Sequence, residues 1–293
     1  MTDLPFFKMH GLGNDFVIVD LRSTEAVALD DETVRRIANR RYGLGCDQLI
    51  LLARSQDADV AMIIRNADGS PAGACGNAAR CVARIVMEET GRAEATIMVG
   101  PRRLAARRRA GGEIAVDMGE ARFGWQEIPL ARAVPTDPLP LTLTELPAAA
   151  AVSVGNPHVV FLVPEVEDLP LARIAEEVLA DPLLVDGANV SLVAPEQRDA
   201  HGRVTQLRMR VFERGVGPTP SCGSAAVAAA AIAHRRGLVK RHVVVHQPGG
   251  SLTVEIGDDG DLWLEGPAAL VARGVLAGEL LSCAQAHADK VPA

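Results

Sequence analysis

Cys75 and Cys222 stand 147 residues apart in closely similar settings, Cys75-Gly76-Asn77 and Cys222-Gly223-Ser224, and each opens a largely apolar run. Asn77 and Ser224 are good N-cap types, which puts each cysteine at the mouth of a helix. The partial positive charge and open N–H groups there stabilise a thiolate, so both thiols are expected below the ordinary value of about 8.5. A single cysteine is more often a small buried hydrophobe. The same thiol supplied twice suits a different task. Inverting a stereocentre needs one group to remove a proton from one face while another delivers a proton to the opposite face. The N–H groups at Gly76, Asn77, Gly223 and Ser224 are placed to bind a carboxylate and steady the charge that builds beside it. No lysine signature or phosphate loop calls for pyridoxal phosphate, and no cofactor is expected. No CxxC pair occurs and the histidines are scattered, so no metal is expected either.

The elements that must position these thiols come in two copies. Gly13-Asn14-Asp15 before Phe16 to Val19 matches Gly155-Asn156-Pro157-His158 before Val159 to Val163. Asn66 and Glu213 are 147 apart, as the cysteines are, and Glu113 to Asp117 matches Asp261 to Glu265 at nearly the same offset. Landmarks in one register at a slowly drifting offset indicate a duplicated domain. Each copy reads as strand, helix, two strands, Gly-rich loop, helix and further strands. In the first copy these are Phe16 to Val19, Asp31 to Arg41, Gln48 to Ala53, Val60 to Ile64 and Asn77 to Thr90, closed by Gly91, with Glu113 to Asp117 beyond. In the second the helices are Leu171 to Leu179 and Ser224 to Arg236, with strands Val190 to Ala194, Thr205 to Phe212 and Leu252 to Ile256. Ala225 to Ala233 is apolar on every face, which predicts a helix enclosed by sheet. The Pro- and Ala-rich stretch from Pro135 to Ala151 reads as the linker between copies.

Composition narrows the partners. The 293 residues suffice for about two domains, and 48% hydrophobic with 23% charged residues lies in the globular range. A net charge of −7 with 3% aromatic residues argues against nucleic acid. Arg102, Arg103, Arg107, Arg108 and Arg109 are read as a solvated hairpin edge guarded by charge. No signal peptide is evident from Met1 to His10, and the longest apolar run, Ala225 to Ala233, is far short of the roughly 20 residues that cross a bilayer. Five sparse cysteines suggest free thiols in a reducing, cytoplasmic compartment. Cys46, Cys81 and Cys283 have no duplicate and are read as packing residues.

Met9-His10-Gly11-Leu12-Gly13-Asn14-Asp15-Phe16, Asp47-Gln48, Asn66-Ala67-Asp68-Gly69, Cys75-Gly76-Asn77-Ala78-Ala79-Arg80-Cys81, Gly155-Asn156-Pro157-His158, Glu213-Arg214-Gly215 and Cys222-Gly223-Ser224 follow one another in this order. Together they resemble the diaminopimelate epimerase family over nearly the whole chain. The resemblance implies an α/β (α+β) fold of two pseudo-symmetric halves, each a mixed sheet or barrel wrapped around a central helix. It implies crossings near Met118-Gly119 and Gly266, giving halves 1–118 with 266–293, and 119–265, with Cys75 and Cys222 facing across a cleft. It implies a cofactor-independent epimerase of lysine and peptidoglycan biosynthesis, with diaminopimelate as its small-molecule substrate, and a homodimer. The distal end of that substrate is then expected at Asn66, Asn156, Asn189, Glu213 and Arg214, with Asn14 and Gln48 completing the pocket. Those types suit the task, since Arg forks onto a carboxylate, Glu pairs with an ammonium and Asn amides fix handedness. Asn14 beside Gly13 suits a turn as well as a ligand, and His158 either neighbours the reacting centre or braces its loop. The chain departs from the family pattern at Ala78, at Ser191 and at Pro218, Pro220 and Ser221. Rival readings are a proline or hydroxyproline racemase, a catalytically silent binding protein on the same scaffold, and a dithiol redox protein.

Overall fold

The computed structural model describes residues 4–23, 29–73, 75–141 and 146–281. Contacts divide the chain into two compact units, one running to Arg107 and resuming at Ala268, the other from Arg108 to Pro267.

The first unit begins with β1 (Leu4–Gly11) and β2 (Asn14–Asp20), paired antiparallel around Leu12 and Gly13. Both turn residues have positive φ, 54° and 86°, the two-residue turn whose twist suits a hairpin. Asn14 leaves that turn directly. The helix α1 (Asp31–Ala38) then starts at Asp30, whose side chain accepts the Thr33 N–H, and carries acids in its first turn and Arg35 and Arg36 in its last. It stops three residues short of the expected Arg41. Asn39 turns extended and its side chain accepts the N–H groups of Arg41 and Tyr42, which diverts the backbone from the helix. Gly43 folds back so closely that a Cβ there would collide with the Arg36 and Ile37 carbonyls. The crossover makes β3 (Gln48–Ala53) parallel to β2, pairing Phe16 with Gln48, and β4 (Val60–Asn66) is antiparallel to β3, pairing Gln48 with Asn66. After the short β5 (Pro71–Ala72) comes α2 (Gly76–Thr90), ended by Gly91 in the left-handed region. β6 (Glu94–Val99) runs parallel to β4, and β7 (Arg102–Arg108) is antiparallel to β6. Val17, Val19, Leu49 and Leu51 pack with Val34 and Ile37 of α1, while the alternate Phe16, Ile18, Ile50 and Leu52 are equally buried. Cys46 and Cys81 are buried, and burial pushes their thiols up to about 11 and about 12. Cys283 lies outside the described residues.

The second unit opens with β8 (Ile114–Glu120) and repeats the plan with β9 (Ala150–Ser153), β10 (Pro157–Leu162), α3 (Leu171–Leu179), β11 (Asn189–Arg198), β12 (Val204–Glu213), β13 (Gly217–Thr219), α4 (Gly223–Arg235), β14 (Val239–Gln247), β15 (Gly250–Ile256) and β16 (Asp261–Gly266). The pairings β9–β10, β10–β11, β11–β12, β12–β14 and β14–β15 alternate antiparallel and parallel in the same sequence as β1–β2 through β6–β7. His158 pairs with Asn189 where the first unit pairs Phe16 with Gln48. Ala225 to Ala230 are fully buried, and α4 touches β9, β10, β11, β14, β15 and β16, the enclosure its composition predicts. The two matched segments pair with each other, β8 antiparallel to β16. That pairing draws β8 into the second unit, so the first crossing falls after Arg107, before the Met118-Gly119 implied by the resemblance.

The stretch from Pro135 is not a free linker. Leu139 and Ala149 are buried in the core that holds α3, Thr136 Oγ1 donates to Phe123 O, and Ala151 already belongs to β9. Its apolar side chains find more by packing than an exposed tether would give them. Finally β17 (Ala269–Leu276) returns to pair antiparallel with β1, and the single turn α5 (Gly278–Leu281) follows. The arginine group lies on and just after β7, where Arg103 Nε donates to Asp57 O and Arg109 is paired with Glu255 and Glu265. Among the described residues no helix is long and apolar enough to cross a membrane.

Candidate active site

In the first unit Cys75 is itself the N-cap of α2, in place of the expected Asn77. Its backbone is extended and its Sγ accepts the Ala78 N–H at 3.5 Å. The thiol donates to Asn14 Oδ1 at 3.8 Å, and Asn77 Nδ2 donates to the same oxygen at 3.2 Å. Arg80, one turn along α2 and fully buried, donates to Asn77 Oδ1 at 2.7 Å. The orientation of the Asn14 amide is fixed from outside, because its Nδ2 donates to the carboxylate of Asp47 at 3.0 Å. Asp47 is anchored in turn by Arg40, which bridges it to Asp15, and Lys8 binds Asp15 from the other side. Burial opposes ionisation of Asp15, but the hydrogen bonds of Arg40 and Lys8 hold its carboxyl far below the usual range. Beside this group Gln48 Nε2 donates to Asn66 Oδ1 at 3.1 Å and Asn66 Nδ2 to Ser70 Oγ at 3.1 Å.

In the second unit Cys222 is the N-cap of α4, where Ser224 was expected, and only 6% of it is exposed. Its Sγ lies 3.5 Å from Ser224 Oγ and donates to Glu213 Oε2 at 3.2 Å, while Glu213 Oε1 accepts from Thr219 Oγ1 at 2.5 Å. Burial first, and the Glu213 carboxylate after it, push the Cys222 thiol well above its ordinary value, and the hydrogen bonds from Ser224 and the Ala225 N–H do not reverse this. The expectation of a lowered thiol therefore fails at Cys222. A helix N-terminus offers only partial charge, which the lost hydration of a buried thiolate outweighs. Asn156 Nδ2 donates to Ser224 Oγ at 3.5 Å, and His158 Nε2 meets Asn156 Oδ1 at 3.0 Å. An amide oxygen only accepts, so Nε2 carries the imidazole proton. Burial, with the charge of Arg214, pushes His158 down to about 3 and keeps it neutral near pH 7. The His158 ring holds Asn156, which leads through Ser224 to the Cys222 thiol.

Asn189 Oδ1 accepts the Arg214 N–H at 2.8 Å, and the Arg214 guanidinium donates to Asp186 O at 2.7 Å. Hydrogen bonds thus join Cys75, Asn14 and Asn77 into one group and Cys222, Ser224, Asn156, His158 and Glu213 into another. Gln48 with Asn66, and Asn189 with Arg214, form separate pairs. Gly76 and Gly223 are the first residues of their helices. Sequence reasoning did not single out Arg80 or Asp47. Arg80 had a signal, a charged residue three places after Asn77 in an apolar helix; Asp47 had only its place beside Gln48.

The profile of the diaminopimelate epimerase family matches residues 6–124 and 150–271, taking in both thiol groups. The chain belongs to the diaminopimelate epimerase family. A diaminopimelate epimerase of Rhizorhabdus wittichii is 44% identical over 266 residues, covering 91% of this chain and 93% of the relative. One from Acidiphilium cryptum is 42% identical over 278 residues, covering 95% and 98%. Among solved structures, a hydroxyproline epimerase from Agrobacterium vitis superposes with a TM-score of 0.61 at 15% identity, covering 94% of this chain and 92% of that one. That likeness concerns the fold. Seen as a diaminopimelate epimerase family member, the chain is an isomerase independent of pyridoxal phosphate.

Proposed function

We propose that this chain interconverts LL- and meso-diaminopimelate through Cys75 and Cys222 acting as base and acid on one α-carbon. The reading rests on family membership and is supported by one observation above others: a cysteine occupies the N-cap of the equivalent helix in each of two copies of one unit. In one direction a Cys75 thiolate takes the α-proton, forming S–H as the C–H bond breaks. The Cys222 S–H gives its proton to the opposite face of the carbanion and is left as thiolate. The reverse reaction exchanges the roles. Cys222, held as thiol by burial and Glu213, suits the acid of this first direction. The N–H groups of Gly76, Asn77, Gly223 and Ser224 are those that a helix leaves without partners in its first turn, where they hold a carboxylate and spread the charge of the deprotonated carbon.

The distal amino-acid end of the substrate is assigned to Gln48, Asn66, Asn156, Asn189 and Arg214, whose amides and guanidinium match an ammonium and a carboxylate. Glu213 belongs with the thiol in this reading, because its two oxygens are engaged by Cys222 and Thr219. We assign the enzyme to the cytoplasm, where thiols stay reduced, and to a homodimer on the family resemblance, which sedimentation tests. The deciding experiment incubates the reduced protein in deuterated water with LL-diaminopimelate and, separately, with L-proline. Deuterium should enter the α-position of diaminopimelate alone. Exchange confined to proline would transfer the chain to the racemase reading.

A further inference from the structure

The loop that enters α4 is fastened by the hairpin that joins β14 to β15. From its turn the Gly249 N–H donates to Pro220 O at 2.7 Å, and Gln247, the last residue of β14, accepts the Cys222 N–H on Oε1 at 2.7 Å. The two bonds bracket Ser221 and hold the N-cap and the residue two before it. Gln247 is 8% exposed, and its Nε2 is a buried donor with no partner among the described residues. The unmatched end is a cost to stability, and the bond at the other end offsets it. An apolar side chain would avoid the unmatched donor but would orphan the Cys222 N–H.

Resting on the epimerase reading above, we propose that Gln247 is a positioning residue that sets the Cys222 thiol for proton transfer. The amide oxygen occupies the N–H of the cap residue and holds its backbone at φ −133°, ψ 114°. In that conformation Sγ lies back over the helix start, between Ser224 Oγ and Glu213 Oε2. The N–H groups of Gly223 and Ser224 are left for the substrate. Nothing in the local sequence around Cys222 signals this residue, which lies 25 positions on.

The test compares wild type with Gln247→Met, which keeps length without an acceptor, and Gln247→Glu, which keeps the acceptor and adds charge. Epimerisation of diaminopimelate is followed from pH 6 to 9.5. Gln247→Met should lower kcat by about ten- to a hundredfold, the scale of loss when a reacting group shifts by about 1 Å, with KM little changed. Gln247→Glu should restore most of kcat and move the pH profile upward, since a carboxylate beside the thiol disfavours its ionisation. Wild-type kcat and pH profile in Gln247→Met would overturn the proposal. So would equal impairment of both variants with an unshifted profile. If Gln247→Met does not fold, the profile of Gln247→Glu decides alone, an upward shift supporting the role and no shift overturning it. If the wild type leaves diaminopimelate untouched, the epimerase reading fails separately. Iodoacetamide labelling then decides for Gln247, a changed rate at Cys222 with Cys75 constant supporting it and equal rates overturning it.

Discussion

The Cys75 thiol has a neutral amide oxygen, Asn14 Oδ1, as its acceptor at 3.8 Å, whereas the Cys222 thiol has a carboxylate, Glu213 Oε2, at 3.2 Å. The contrast extends along both hydrogen-bonded chains. Behind Cys75 stand Asn77 and the buried guanidinium of Arg80, whose counterpart in α4 is the apolar Val227. Behind Cys222 stand Ser224, Asn156 and the neutral ring of His158, whose counterpart across the strand register is Phe16. Asn66 occupies the position that Glu213 holds in the second copy. Strand order, helix placement and N-cap are thus copied, while the groups around sulfur differ in charge. In the reading proposed above, the sulfur beside a neutral amide serves more readily as base and the one beside a carboxylate as acid, and the roles exchange on reversal.

The strongest way to break this comparison is to remove each sulfur in turn. Cys75→Ala and Cys222→Ala should each lower epimerisation by about 10²–10⁴-fold, the range lost with a general acid or base. Mass spectrometry of deuterium in the LL and meso forms then reads which face each remaining thiol serves. Residual exchange should favour opposite epimers in the two variants. The same epimer in both would mean that the two sites are not complementary.

A subtler change makes the second unit copy the first at one charge. Glu213→Gln keeps the shape and removes the carboxylate, so Cys222 should ionise more readily. Its iodoacetamide labelling at pH 8 should rise about tenfold for each pKa unit relieved, with Cys75 unaffected as the internal control. Epimerisation should fall in the same variant. An unchanged Cys222 labelling rate would assign the raised thiol to burial alone.

The duplication was legible because periodic strands, Gly stops and paired Cys-Gly motifs are local signals. The placement of Gln48 to Ala53 and Leu171 to Leu179 needed nothing beyond hydrophobic patterning. The end of α1 was not legible, since the competing turn depends on the Asn39 side chain and on how closely Gly43 packs. The identity of the caps was missed for a related reason. Asn77 and Ser224 are better cap types, but their side chains are engaged with Asn14 and with Asn156, partners that lie more than 60 residues away. The seating of Glu213 against Cys222 rests on β12 and β13 bending back on one another, a tertiary relation that spacing does not encode. The raised Cys222 thiol follows from enclosure, which the helix-terminus argument ignores.

His158 offers the smallest and most selective perturbation. In the unfolded chain it takes up a proton near pH 6.5, whereas in the folded chain it resists protonation down to about pH 3. Below pH 6.5 the unfolded state therefore binds more protons, so stability is complete above that pH and declines as pH falls through the window. At pH 5 the expected loss is about 2 kcal/mol relative to pH 7, read from urea unfolding. His158→Phe, which installs the residue found at the matching place in the first unit, should abolish this part of the slope. It should also release Asn156 Oδ1 and slow epimerisation, because Phe16 has no acceptor to support but His158 does. A variant that keeps both the slope and the rate would show that the imidazole is only filling space.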